Sequence, residues 1–376
     1  MYKRYSEILL RTLVLSVMST LFVACNQAEQ GDKTGQEEER VNQTEDNLSD
    51  EIDQSYFEIA DVPLFSYRDS NSGLYGYINL DGEVIIPPQF DQAFDFVEGF
   101  GLVTVVIDGM ISSGFIDEKG EYIIGPRFVE ASEFSEGLAA VSTDQMIGYI
   151  NKQGEIVLSF NIDQFDRVFP FSEGMAMVGK WGSEDDWYMS KGFINRDGDV
   201  VIEPQFRSAA DFSAGLSLVS DGEKGFLIDK QGTIINEGPR DRMCLYSEGI
   251  ACEKDENERW GFINLSGEIV IDHQFERVGE FSQGLAPVKL NSLLGFINMD
   301  GEMVIEPRYE MASSFSEGLA WVSVDEKWGA IDRNGNIVIE EYYEFADSFN
   351  GGLARVFNEG KEQFVNQKGE VVFIAE

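Results

Sequence analysis

Histidine occurs once in 376 residues, and Lys plus Arg only 28 times against 68 Asp plus Glu. A single imidazole excludes any site built on paired histidines, metal centres of that kind included. The shortage of cations leaves a formal net charge of −40. Such a chain has too little positive surface to neutralise nucleic-acid phosphates or to hold anionic lipid through a basic patch. Cysteine is scarce, with three copies, and no Cys/His zinc spacing appears. Nucleophile elbow and phosphate loop are both missing, so neither catalysis nor a bound cofactor is expected. Long 3.6-residue apolar periods are absent too, so helix content should be small. What is plentiful is apolar and aromatic residue, 43% and 12%, too much for a disordered chain.

The chain divides into three. Residues 1–24 carry Lys3, Arg4 and Arg11 ahead of an apolar run from Leu13 to Ala24. That run is short of the ~20 residues of a membrane-spanning helix but suits the core of a secretory signal. It ends in Phe22-Val23-Ala24-Cys25, which resembles the bacterial lipobox. The resemblance implies cleavage before Cys25 and lipidation of that cysteine, with the membrane touched through the lipid alone. An ordinary signal, or a retained anchor with an incidental cysteine, is the alternative; the first two readings, like the lipoprotein, place the chain outside the cytoplasm. Residues 25–61 are polar and acidic, with Glu37, Glu38, Glu39, Glu45, Asp46 and Asp50 and almost no large apolar residue before Tyr56. They cannot bury enough surface to offset their ordering entropy and should form an extended tether.

Residues 62–376 repeat. Gly-aromatic-Ile-Asn/Asp followed by a turn glycine recurs at Gly76, Gly114, Gly148, Gly192, Gly261 and Gly295. The closing glycines 82, 120, 154, 198, 232, 267, 301, 335 and 369 are spaced 38, 34, 44, 34, 35, 34, 34 and 34 residues apart. The period is therefore 34, with insertions in the first and third intervals. A second phrase keeps the beat, as in Phe134-Ser135-Glu136-Gly137-Leu138-Ala139 and Phe315-Ser316-Glu317-Gly318-Leu319-Ala320. Trp260-Gly261 and Lys327-Trp328-Gly329 complete the pattern. Together these phrases resemble the bacterial WG (or KWG) repeat family over nearly all of the chain after residue 62. The resemblance implies an exported or surface repeat domain, here a WG-repeat lipoprotein.

Each unit reads as a three-stranded antiparallel meander. The turn glycine suits a tight hairpin, and Pro87, Pro126, Pro204 and Pro307 are expected to stop the third strand. An aromatic eight residues after the turn glycine (Phe90, Phe128, Phe206, Phe275, Tyr309, Tyr343) marks a packing anchor. So small a unit must stack on its neighbours. The expected fold is all-β, about nine tandem units forming either a propeller-like ring or a twisted linear array. The fifth unit, one residue out of step at Gly225-Phe226-Leu227-Ile228-Asp229, suggests a bulge or a local interruption.

Candidate sites are few. His273 sits where sister units have proline and reads as a surface substitution. The repeated Asn/Asp before the turn reads as an Asx-turn former rather than a metal ligand, because calcium needs several oxygens at close spacings. Glu136, Glu173, Glu248 and Glu317 form a ladder that is either an anionic stripe or a set of solvated turn residues. Cys244 and Cys252, eight apart in an exported chain, are a candidate disulfide whose closure the spacing leaves open. Trp187 and Tyr188, in the longer insertion, and Trp260 and Trp328, at a recurring position, are the candidate binding aromatics. Three functions follow: an interaction module for an envelope or extracellular protein, a binder of carbohydrate or cell-wall glycan, or an enzyme whose site breaks the repeat between units. The first is favoured.

Overall fold

The computed structural model describes residues 63–182, 188–239, 243–264 and 266–375. The signal segment, Cys25, the tether and Trp187 lie outside the described residues. Among the described residues there is no helix; 35 strands form nine antiparallel sheets. Blade 1 has three strands, β1 (Phe65–Arg68), β2 (Tyr75–Ile78) and β3 (Val84–Phe90). Blade 2 has four, β4 (Gln92–Ala93), β5 (Gly101–Ile107), β6 (Met110–Ile116) and β7 (Tyr122–Phe128). Blades 3 to 9 repeat the four-stranded pattern over residues 130–160, 167–206, 208–239, 243–275, 277–309, 311–343 and 345–374. Phe65, Tyr67 and Ile78 of blade 1 share one core cluster with Leu353, Phe364 and Ala375 at the other end of the chain. The sheets close into a nine-bladed propeller; of ring and rod, the ring is correct.

The three strands of the repeat phrase are all present, and a fourth precedes them in eight blades. It is only two residues long in most blades, too short to show alternation in sequence. β4 follows Phe90 after one residue yet joins the next blade, where Gln92 lies opposite Thr104. The prolines do not stop the last strand: β3 runs through Pro87 and Pro88 to Phe90. It is an edge strand whose register slips between Tyr75 and Tyr77, so the missing N–H groups take nothing from a ladder. That slip explains the glycine of the repeat phrase. A Cβ at Gly76, Gly192 or Gly295 would stand 2.5, 2.3 or 2.3 Å from the carbonyl oxygen of Ile86, Ile202 or Ile305. The fifth blade has its register slip between Leu227 and Ile228, a place where sister blades slip as well. Gly225 pairs squarely with Gly238, without the slip seen at that glycine in most sister blades, and Leu227 takes the buried aromatic position.

The core lies between blades. The aromatic of the glycine phrase meets the Phe of the next blade's second phrase: Phe115 with Phe134 at 4.8 Å, Tyr149 with Phe171 at 4.7 Å, Phe193 with Phe212 at 4.8 Å, Phe262 with Phe281 at 4.9 Å and Phe296 with Phe315 at 5.0 Å. In blade 8 the aromatic is replaced by Ala330, and Trp321, directly opposite it, fills the space and stacks on Phe349.

A polar seam runs beside this core. Glu136 and Gly137 both have positive φ, 55° and 79°, which with the paired Ser135 and Leu138 makes a type I′ hairpin turn. Ser135 Oγ donates to the Phe171 carbonyl at 2.7 Å, and the Glu136 carboxylate accepts the Gly174 N–H at 3.1 Å. Glu173 accepts from Gly215, Glu248 from Gly284 and Glu317 from Gly352 in the same way. The glutamates are turn residues, three of them (Glu136, Glu173 and Glu248) exposed, but each also accepts a backbone N–H from the following blade. The ladder joins blades 3 to 4, 4 to 5, 6 to 7 and 8 to 9.

The ring is closed by polar residues that break the repeat. Arg355 lies opposite Phe364 and Ser66 opposite Tyr77, where sister strands carry Ala140, Met177, Pro287 or Trp321. Arg355 ion-pairs with Glu362 at 3.0 Å and donates to the Ser66 carbonyl. Ser66 in turn donates its N–H and hydroxyl to Asp95 at 2.8 and 2.9 Å.

Candidate functional face

Antiparallel order sorts the loops by side. Turns joining first to second and third to fourth strands lie on one face, which carries the glutamate seam. Hairpins joining second to third strands lie on the other. On the seam face, Asn79 Oδ1 accepts the N–H groups of Asp81 and Glu83 at 3.0 and 2.9 Å, and the same contacts recur at Asn151, Asn298 and Asn366. These repeated residues build turns, as the sequence reading holds.

The hairpin face is where the blades differ. The 38-residue interval of the sequence falls on blade 2, where β5 and β6 are longer than their blade 8 counterparts. Four added residues extend each strand by two, or about 7 Å of reach. Val106, Ile107, Met110 and Ile111 on this extension are 51%, 45%, 67% and 49% exposed. The 44-residue interval falls on blade 4, whose strands Met175–Trp181 and Met189–Asn195 pair out to Trp181 opposite Met189. Trp181 is 51% exposed. Asp91 and Asp166, in the connections between blades, accept the edge N–H of Val106 and Trp181 at 2.8 and 2.9 Å.

Of the candidate aromatics, Tyr188 belongs to this blade 4 hairpin, half-buried with the Arg207 guanidinium 4.4 Å from its ring centre. Trp260 and Trp328 stand in blades 6 and 8, half-buried against core clusters and opposite the anchors Phe275 and Tyr343. The Lys254 ammonium lies 5.8 Å from the Trp260 ring. The described candidates, Tyr188, Trp260 and Trp328, are thus distributed over three blades and are not gathered into one site. Cys244 and Cys252 are brought together on paired strands of blade 6, their Cα atoms 5.3 Å apart and their sulfurs within bonding distance. His273 is half-buried, its Nε2 3.8 Å from a Glu253 carboxylate oxygen, and not on the open surface.

The sequence reading missed a row of half-buried acids. Asp95, Glu133, Asp211 and Glu280 each stand immediately before a phrase Phe, a recurrence visible in the sequence. Loss of hydration pushes the Glu133 carboxyl up to about 7, with the Asp95 charge adding to it. Desolvation likewise raises Asp211 and Glu280. Asp347 is raised by desolvation against the opposing pull of Arg355. Among the described residues, no group of three or more His, Cys, Asp or Glu is placed to hold a metal ion. The hairpin face missed detection for another reason: its signal is an unbroken apolar run on either side of an Asp-Gly turn, where sister hairpins turn polar. Chemically it offers aliphatic and aromatic contact surface.

No curated protein matches the chain. Solved structures that resemble it include BamB from Moraxella catarrhalis, 11% identical, with 66% of this chain and 87% of that one covered at a TM-score of 0.43. Another is Hsv2p of Kluyveromyces lactis, 10% identical over 65% of this chain and 96% of that one, with a TM-score of 0.38. Neither likeness says anything of partners. The WG containing repeat matches residues 75–109, 114–145, 147–180, 192–224, 260–293, 295–328 and 328–361, on the same glycine-aromatic phrases that build the blades. The chain belongs to the WG-repeat family.

Proposed function

We propose that the protein is an exported, non-catalytic interaction module, held at the cell envelope by a lipid on Cys25, that docks a protein partner on its hairpin face. One observation carries this reading. The 38-residue interval places its extra residues, and the 44-residue interval most of its own, in hairpins on the same face, and both hairpins expose apolar side chains there. Random tolerance of insertions would favour polar loop tips. The polar residues that break the repeat, Ser66 and Arg355, bond across the ring closure, which weighs against a reacting centre between units. The acidic segment 25–61 serves as the spacer between lipid and propeller.

The test compares the full chain with a variant whose two hairpins are trimmed to the 34-residue spacing. Each is offered an envelope fraction and, separately, purified cell-wall glycan. Capture of one protein by the wild type and not by the trimmed variant supports docking. Saturable glycan retention competed by free sugar would instead favour carbohydrate binding, with Trp181 at its centre. Loss of radiolabelled palmitate incorporation in Cys25→Ser checks the anchor.

A further inference from the structure

The blade 2 hairpin has a more specific shape than a general docking face requires. Val106 lies opposite Ile111, and Ile107 opposite Met110. Successive strand residues point to opposite sides of the ribbon, so each side carries one of these pairs. The ribbon is apolar on both sides. Its tip is a type I′ turn at Asp108 and Gly109, with φ of 52° and 79°. A Cβ placed on Gly109 would meet no atom within 4 Å, so the tip stands clear of the propeller. The strand ladder and the Asp91 carboxylate satisfy backbone groups that burial would otherwise leave without partners. Sister hairpins turn through Asp325-Glu326 in blade 8 and Glu359-Gly360 in blade 9, with Lys327 and Lys361 next to them.

A flat partner surface would cover one side of such a ribbon and leave the other in water. A bilayer would have to admit the Asp108 carboxylate first, into a membrane whose anionic headgroups repel a chain of net charge −40. A protein cleft meets both requirements. Resting on the docking reading above, we infer that this hairpin enters, tip first, an apolar cleft of an envelope protein in which a Lys or Arg at the far end pairs with Asp108.

The experiment places a photo-crosslinking residue at Val106 or at Ile107 in the full-length protein in its own cells. Those positions report the two sides of the ribbon. Both should crosslink to the same polypeptide, at sites mapping to opposite walls of one cleft. Asp108→Lys should weaken the crosslink by about tenfold, and reversing the partner's cation to Glu should restore it. Crosslinks from one side only, or no effect of Asp108→Lys, would overturn the inference. So would Ile107- and Met110-dependent binding of the purified protein to vesicles of phosphatidylethanolamine and phosphatidylglycerol, or a dimer abolished by Met110→Asp. The substituted side chains are solvent-exposed, and an unchanged melting midpoint will show that the blade is intact. If partner capture depends on the blade 4 hairpin while blade 2 variants bind like wild type, the cleft inference fails and the docking reading stands. If neither hairpin matters, both fail.

Discussion

Arg355 in the last blade donates a hydrogen bond of 2.9 Å to the carbonyl oxygen of Ser66 in the first, across 289 residues of sequence. The same guanidinium pairs with Glu362, whose other oxygen accepts the Arg68 N–H at 3.3 Å. One side chain thus spans the seam at which the chain meets its own beginning.

Replacing it should loosen the ring at that seam. Arg355→Leu leaves Glu362 and Asp347 beside each other without their cation, and a loss of about 1–3 kcal/mol is expected for a partly buried pair. Hydrogen exchange should accelerate first in Phe65–Arg68 and Leu353–Asn358, the two strands it joins. Uniform loss of protection around all nine blades would show that closure is not the weak point.

Phe281 tests the interface core. It is 2% exposed and 4.9 Å, centre to centre, from Phe262 of the preceding blade. Phe281→Ala should cost roughly 3–5 kcal/mol by urea denaturation. A wild-type midpoint would remove the interblade aromatic pair from any account of stability.

Glycine at the slipped pairing is required by space and not by φ. Gly295→Ala drives a methyl to 2.3 Å from the Ile305 carbonyl oxygen, whereas a Cβ on Gly125 meets nothing within 4 Å. Gly295→Ala should destabilise by about 1–3 kcal/mol and Gly125→Ala hardly at all. Equal melting temperatures for the two variants would contradict the close approach of the edge strand.

The pH dependence follows from Glu133. Its folded-state value of about 7 lies above the ordinary 4.5 of the unfolded chain. The folded state therefore holds the proton more tightly, and this group's contribution is most favourable below the unfolded value and is lost as pH rises through about 7. Denaturation at about pH 5 and about pH 8 should show lower stability at the higher pH. Glu133→Gln should flatten that difference and stabilise the protein at pH 8 by roughly 1–3 kcal/mol. An unchanged pH slope in the variant would mean that the carboxyl is hydrated in solution.

Much of this architecture is legible in the residues because a repeat writes each structural requirement many times. The turn glycines, the Asx-turn formers such as Asn79, and the anchors such as Phe275 all play the parts their recurrence suggests. Where the reading stops short, the deciding contact is made with another blade. Glu136 is an exposed turn residue, as its recurrence suggests, but its bond to Gly174 exists only once the next blade is brought to it. The two-residue strands exist only because the longer strand that follows, in the blade they join, supplies a partner for them.

Sequence alone determined the repeat period, the all-β class, the acidity, the shortage of histidine and the export-like start, because each depends on local pattern or composition. Tertiary structure decided that nine units close into a ring, that Arg355 meets Ser66, and that both lengthened hairpins lie on one face. The shared face follows from the antiparallel strand order within each blade; ring closure and the Arg355–Ser66 contact depend on the small rotation from each blade to the next, summed around the whole circle. No single 34-residue unit contains that sum.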